Sequence, residues 1–369
     1  MLKEREVIMN FQLRRYYEPD LTQEKFVNAP DVKLVKAEKD KVAPKGYHAM
    51  SIFPEYFKIG GNWLLAKESR MDCVAVYRDG EVKVIEFRNI RKGDPVICGR
   101  SENCEEGIYV HANGFRESEE DKDVFAFRLN RSRETAFSKD YDELYEVLKH
   151  DKEHGKIVWV LGPAVAFDKD SKDAFASLIE KGYVHALLAG NALATHDLEG
   201  SYLKTALGQD IYTQKSMPNG HYNHLDTINA VRNYGSVASF IEHEKIDNGI
   251  IYACEKNHIP YVLGGSIRDD GPLPCVYGDV YEAQEAMRDQ IREATTVICM
   301  ATMLHSIAVG NMTPSFRIDR EGRMRQVYFY CVDISEFTAN KLADRGSLSA
   351  KSIITNVQDF VVALDKALG

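Results

Sequence analysis

The sequence predicts an α/β protein: a parallel sheet covered by helices, preceded by a smaller β-rich domain. Two observations carry this expectation. In the C-terminal half, apolar runs end repeatedly in short loops of Gly, Asn, Asp, His and Thr, as in HALLAGNALATHDLEG from His185, YVLGGSIRDDGPLP from Tyr261 and VICMATMLHSIAVGNMTP from Val297. Buried parallel strands that deliver polar loops to one edge of a sheet produce this pattern, and that edge is the usual nucleotide site of open α/β folds. From about Lys33 to Arg128, by contrast, apolar and polar residues alternate at the spacing of half-buried strands.

Composition narrows the class. With 369 residues, 44% of them hydrophobic, the chain can bury a large core without disulfide or metal staples. A net charge of -9 argues against a general nucleic-acid footprint, which is normally basic, and favours small-molecule chemistry. The seven cysteines are scattered, with no C-x-x-C pair, as in a reduced cytoplasmic protein. The N-terminus mixes charges with isolated apolar residues, unlike a signal peptide, and no apolar stretch is long enough to cross a membrane. A cytoplasmic protein, with neither nucleic acid nor membrane as partner, is expected.

The elements follow in order. CVAVYRDGEVKVIEFRNI turns about Asp79-Gly80, a dipeptide suited to a tight hairpin, and KGDPVICG and GIYVHANGF continue the β-rich domain, taken as residues 1–135. ESEEDKD suits a solvated loop. The second domain, 136–369, opens with DYDELYEVLKHDKEHG, whose Tyr141, Leu144, Val147 and Leu148 recur at helical spacing and whose Gly155 is a candidate stop. Strand-like and helical runs then alternate from KIVWVLG to QVYFYCVD, taken as the last strand, which implies helices on both faces of a parallel sheet.

No G-x-G-x-x-G follows any of these strands, so a cofactor site must rest on other features. LGPAVAFD is a strand and Gly-Pro turn, either ordinary or open to a phosphate. In AGNALATHDLEG, Gly190 permits close approach, Asn191 offers donor and acceptor groups, and Ala192 leaves room for a ligand. His196 and Asp197 either face that ligand or cap the next helix. MPNGHYNHLDTINAVR gathers His221, His224 and Asp226 before a helix that Asp226 could cap. Its H-x-x-H spacing is not a zinc signature, so no metal is expected, and His221 and Asp226 are candidates for proton transfer. Arg268 suits a substrate carboxylate, and Asp270 a ribose hydroxyl pair. Thr302 to His305 and Asp333 end further strands and complete the row. Cys254, Cys275, Cys299 and Cys331 suit core packing.

Taken together, VWVLGPAVAFD, HALLAGNALATHDLEG, LGQDIYTQ, PNGHYNHLDTINAVR, GSIRDDGPLP, DVYEAQ, GNMTPS, KLADRGS and TNVQDF resemble the conserved-region family named after lysine-oxoglutarate reductase and saccharopine dehydrogenase. That family includes the archaeal-type ornithine cyclodeaminases and a module of cyanobacterial bifunctional arginine dihydrolase/ornithine cyclodeaminases. The resemblance covers nearly all of Tyr141 to Leu368, and MDC at Met71 resembles the start of its smaller domain. It implies a Rossmann-like α/β/α domain, akin to the nucleotide-binding fold of deoxyhypusine synthase, that holds NAD. It also implies that Asn191, Ala192, Asp270, Thr302, Met303, Leu304, His305, Asp333 and Ile334 contact the dinucleotide. The implied activity turns L-ornithine into L-proline and ammonia with NAD regenerated in each turnover. An NAD-dependent amino-acid dehydrogenase of a lysine-type route and a non-catalytic NAD and amino-acid sensor are the alternatives. A homo-oligomer is expected of such a sheet with apolar helices.

Overall fold

The computed structural model describes residues 13–115, 138–268, 271–319, 321–335 and 350–369. The predicted division at 135/136 and the ESEEDKD segment lie outside these residues.

The N-terminal part is antiparallel. After a short helix α1 (Glu24–Val27) come β1 (Lys33–Lys36), β2 (Glu55–Ile59), β3 (Asn62–Leu65), β4 (Cys73–Arg78), β5 (Glu81–Glu86), β6 (Pro95–Cys98) and β7 (Ile108–Val110). They form two sheets, ordered β1-β6-β4-β5 and β3-β2-β7. The β4–β5 turn falls where Asp79-Gly80 predicts it: Arg78 pairs with Glu81, and both turn residues have positive φ, 53° and 80°. That geometry matches the right-handed twist of the strands it joins.

Helix α2 (Ser138–His154) leads into the main domain, with Leu144, Val147 and Leu148 fully buried. It stops before Gly155, as expected, but for a reason of packing. A Cβ there would lie 2.3 Å from Thr295 Oγ1, whereas the φ of Gly155 is not among the positive ones. The chain continues through β8 (Ile157–Leu161), α3 (Lys169–Glu180), β9 (Ala186–Gly190), α4 (Asn191–Leu203), the small hairpin β10 (Thr205–Ala206) and β11 (Gln209–Asp210), α5 (Gly220–Tyr234), α6 (Val237–His243), α7 (Ile250–Lys256) and β12 (Tyr261–Gly264). It ends with α8 (Val280–Ile291), β13 (Thr296–Met300), α9 (Met303–Met312), the hairpin β14 (Phe316–Ile318) and β15 (Met324–Gln326), β16 (Tyr328–Asp333), β17 (Ala350–Ile354) and α10 (Val357–Ala367).

Six of these strands make one parallel sheet in the order β12-β9-β8-β13-β16-β17. Taken by their order along the chain, this is third, second, first, fourth, fifth, sixth, the doubly wound Rossmann arrangement, whose order reverses between β8 and β13. Both faces are buried. Ile157, Trp159 and Leu161 of β8 face a core shared with α2, α3, α4, α7 and α10, while Val158 and Val160 face one shared with α8 and α9. β16 is therefore not the last strand. β17 adds one more at the edge, and its Ala-Lys-Ser-Ile-Ile sequence is too polar to stand out as a buried run. Cys254, Cys299 and Cys331 are buried as expected, whereas Cys275 is exposed on the loop after β12.

Candidate functional site at the carboxyl edge of the sheet

Because the strands are parallel, all their carboxyl ends share one edge. β9 passes straight into α4 at Gly190, and β13 reaches α9 through Ala301, whose φ is +53°, and Thr302. Neither helix start has a side-chain cap. Their first-turn N–H groups thus lie at the crevice without an intrahelical partner, beside the strand-order reversal, an arrangement suited to a diphosphate. The Gly162 turn does something else. Its N–H donates to the Met300 carbonyl at 2.8 Å, and a Cβ on it would stand 1.8 Å from the Ala301 carbonyl oxygen. Gly162 lets the two central strands exit side by side, so its amide is already engaged within the sheet.

His305, on the first turn of α9, fills the space over two other glycines. Its Cε1 lies 3.0 Å from where a Cβ on Gly190 would be, and its Nε2 3.7 Å from the corresponding point on Gly264. Burial holds its imidazole below the ordinary histidine value, so it is neutral at neutral pH. Asn191 is buried, and its Oδ1 accepts from the Leu273 N–H at 3.1 Å and the Thr195 hydroxyl at 3.3 Å, pinning the loop after β12 onto α4. Ala192 is half-buried beside it. Met303, Leu304 and Ile334 are exposed apolar side chains along the same edge, and Asp333 accepts from the Ser335 N–H.

The structure thus gathers Gly190, Asn191, Ala192, Thr302, Met303, Leu304, His305, Asp333 and Ile334 at one edge; Asp270 lies outside the described residues. His221 and Asp226 are exposed on α5, and Arg268 is exposed in the turn after β12. Asp226 is not an N-cap: α5 begins six residues earlier, at Gly220, which packs on Gly208 so closely that a Cβ would meet the Gly208 carbonyl oxygen at 2.2 Å. Asp197 does cap a helix, but a distant one. Its two carboxylate oxygens accept from the Ile250 and Ile251 N–H groups of α7 at 2.9 and 2.8 Å, and buried Lys172 lies 3.5 Å away. Burial lowers the Lys172 pKa from its usual value, while Asp197 opposes that shift.

His196 belongs to a buried group that includes Glu199 and Thr205, two residues not foreseen from sequence. Its Nδ1 is 3.0 Å from Glu199 Oε2, and Glu199 Oε1 accepts from the Thr205 hydroxyl at 2.8 Å. The signal available in the sequence was H-x-x-E on one helix face. Donor atoms of His196, Glu199 and His224 lie within 4.8 Å of one another. A polar cavity of about 700 Å³ opens beside Lys156, His185 and Arg325. It lies where the strands begin, the edge opposite to the one that binds ligands in such sheets.

Comparison with known proteins agrees with this geometry. Residues 142–364 match the model of the arginine dihydrolase ArgZ-like C-terminal Rossmann-fold family. The ornithine cyclodeaminase of Methanocaldococcus jannaschii is 40% identical over 349 residues, covering 92% of this chain and 78% of that protein. The chain belongs to the ArgZ-like ornithine cyclodeaminase family. This is a family of enzymes, ammonia-lyases by reaction class. The crystal structure of a conserved putative LOR/SDH protein from Methanococcus maripaludis superposes with a TM-score of 0.81 at 35% identity, covering 92% of this chain and 98% of that one. A ternary complex of AgrE with ornithine and NAD+ aligns at a TM-score of 0.56 and 32% identity, covering 92% of this chain and 46% of the larger AgrE chain. Among the described residues, no helix is long and apolar enough to cross a membrane.

Proposed function

We propose that this protein converts L-ornithine into L-proline and ammonium, using NAD held at the carboxyl edge of the sheet. The observation that carries this reading is the meeting of two uncapped helix starts, at Asn191 and Met303, beside the strand-order reversal in a member of this family. Bound there, NAD would supply oxidation at the substrate α-carbon and the later return of the same electron pair, so no net reductant is consumed. The first-turn N–H groups of α4 and α9 hold the diphosphate. Asp333, at the end of β16, takes a ribose hydroxyl pair, with Asp270 a second candidate for that contact. Met303, Leu304 and Ile334 supply the apolar walls.

Around the reacting carbon the chain must orient the substrate, exclude water and handle protons. Arg268 is the candidate for the substrate carboxylate, and His221 and Asp226 for the amines. All three side chains are exposed. The decisive experiment incubates the protein with L-ornithine and NAD, following proline and ammonium by mass spectrometry and reduced nicotinamide by absorbance. Equal yields of proline and ammonium without accumulating NADH are expected. NADH accumulating with substrate consumed would indicate a dehydrogenase instead, and binding without product a sensor.

A further inference from the structure

A buried polar group beside the crevice is built on a single stripe of α4. Ala192, His196 and Glu199 recur at i, i+4 and i+7, so they share one helix face. Ala192 is small and half-buried at the crevice, and side chains at i and i+4 stand about 5–6 Å apart. A ligand lying over Ala192 therefore comes within reach of the His196 ring.

That ring is fixed on several sides. Phe167, which leaves the central strand β8 through a short 3-10 turn, meets it edge-on at 5.2 Å, and the His224 ring lies at 4.8 Å from α5. Glu199 is fully buried with both oxygens engaged, one by His196 Nδ1 and the other by the Thr205 hydroxyl, which in turn accepts from the Asn223 side-chain amide at 2.9 Å. A carboxylate that accepts from Nδ1–H selects the tautomer with a basic Nε2. The nearby charged groups are committed elsewhere, Asp197 of α4 to the start of α7 and Lys172 of α3 to Asp197 and Ser201.

We propose that His196 is the proton acceptor for the substrate's α-amine and that Glu199 is its positioning residue; this rests on the ornithine cyclodeaminase reading. His196 Nε2 takes one proton from the α-ammonium, leaving a neutral amine whose lone pair can assist oxidation at the α-carbon, and an imidazolium held by Glu199. When that nitrogen is expelled as ammonia after ring closure, the imidazolium returns the proton. Ammonium departs, and His196 is again neutral.

The test compares His196→Ala, His196→Gln and Glu199→Gln with the wild type, and with His221→Ala and Asp226→Asn. General acid-base groups contribute about 10²–10⁴-fold, so both His196 variants are expected to lose kcat by that factor while KM for ornithine and NAD affinity change less than about threefold. Added imidazole should restore part of the His196→Ala activity. His196→Gln keeps a donor for Glu199, so loss in a folded Gln variant reports the missing proton carrier rather than a collapsed cluster. Glu199→Gln should lose at least about tenfold in kcat at unchanged NAD affinity. Full kcat in either His196 variant overturns the proposal, as does a stoichiometric metal whose removal abolishes turnover. If the wild type makes no proline, it is the ornithine cyclodeaminase reading that fails.

Discussion

Two glycines at the carboxyl edge look alike in sequence and differ in what surrounds them. At Gly162 an added Cβ would meet backbone, the Ala301 carbonyl oxygen at 1.8 Å, and no rotamer change relieves that. At Gly190 it would meet the end of a side chain, His305 Cε1 at 3.0 Å. Gly162→Ala should therefore force the exits of β8 and β13 apart and destabilise the fold by about 3 kcal/mol or more, the upper range for overpacking. Gly190→Ala should cost less than about 1.5 kcal/mol in stability, because His305 can rotate. The displaced ring would still disturb the cofactor edge, with NAD binding weakened about tenfold. Urea denaturation and titration calorimetry with NAD separate the two effects. Equal loss of stability in both variants would refute the distinction.

At the scale of elements, α7 shows how a short helix is anchored from far away in the chain. Its first two N–H groups are taken by Asp197, and the same carboxylate compensates the buried ammonium of Lys172. Asp197→Ala removes the cap and leaves a buried cation without its counter-charge, which costs about 3–5 kcal/mol. Lys172→Met in the Asp197→Ala background should recover part of that loss. An additive double-mutant cycle in chemical denaturation would show that the pair is not coupled. The same case marks the limit of sequence reasoning. The strands β8, β9, β12, β13 and β16 were legible because both of their faces are buried and their residues are almost wholly apolar, and their loop residues were legible because parallel strands end together. β17 and the two-residue strands β10 and β11 were not, being short or polar. Asp197 read as a cap for a neighbouring helix, since no local pattern reveals a partner more than fifty residues on. Glu199 was hidden likewise, because its meaning depends on Thr205 and on the turn that brings α5 back to α4.

For the whole molecule, charged side chains link the two parts of the chain across a partly buried contact. Arg70 and Glu86 from the β-rich part meet Arg288 on α8: the Arg70 and Arg288 guanidinium groups lie 2.5 and 2.9 Å from Glu86 Oε1, and both arginines are buried. Arg88 adds contacts to Gln284 and Glu285, and the Ser315 hydroxyl donates to the Ile52 carbonyl. Partial burial alone would raise the Glu86 pKa, but the two guanidinium groups outweigh it and hold the carboxyl at about 2, below its usual 4.5. A folded-state pKa below the unfolded one means that the stabilisation is complete above about pH 4.5 and is lost as pH falls toward 2. Glu86→Gln should thus be less stable than the wild type at pH 7, by about 3 kcal/mol, because two buried guanidinium groups lose their shared carboxylate. The difference should shrink as pH falls through this window, since the wild-type carboxyl then becomes neutral as well. Thermal unfolding of both proteins from pH 7 to pH 2 measures this directly. A gap that stays constant across the range would mean that Glu86 contributes by shape rather than by charge.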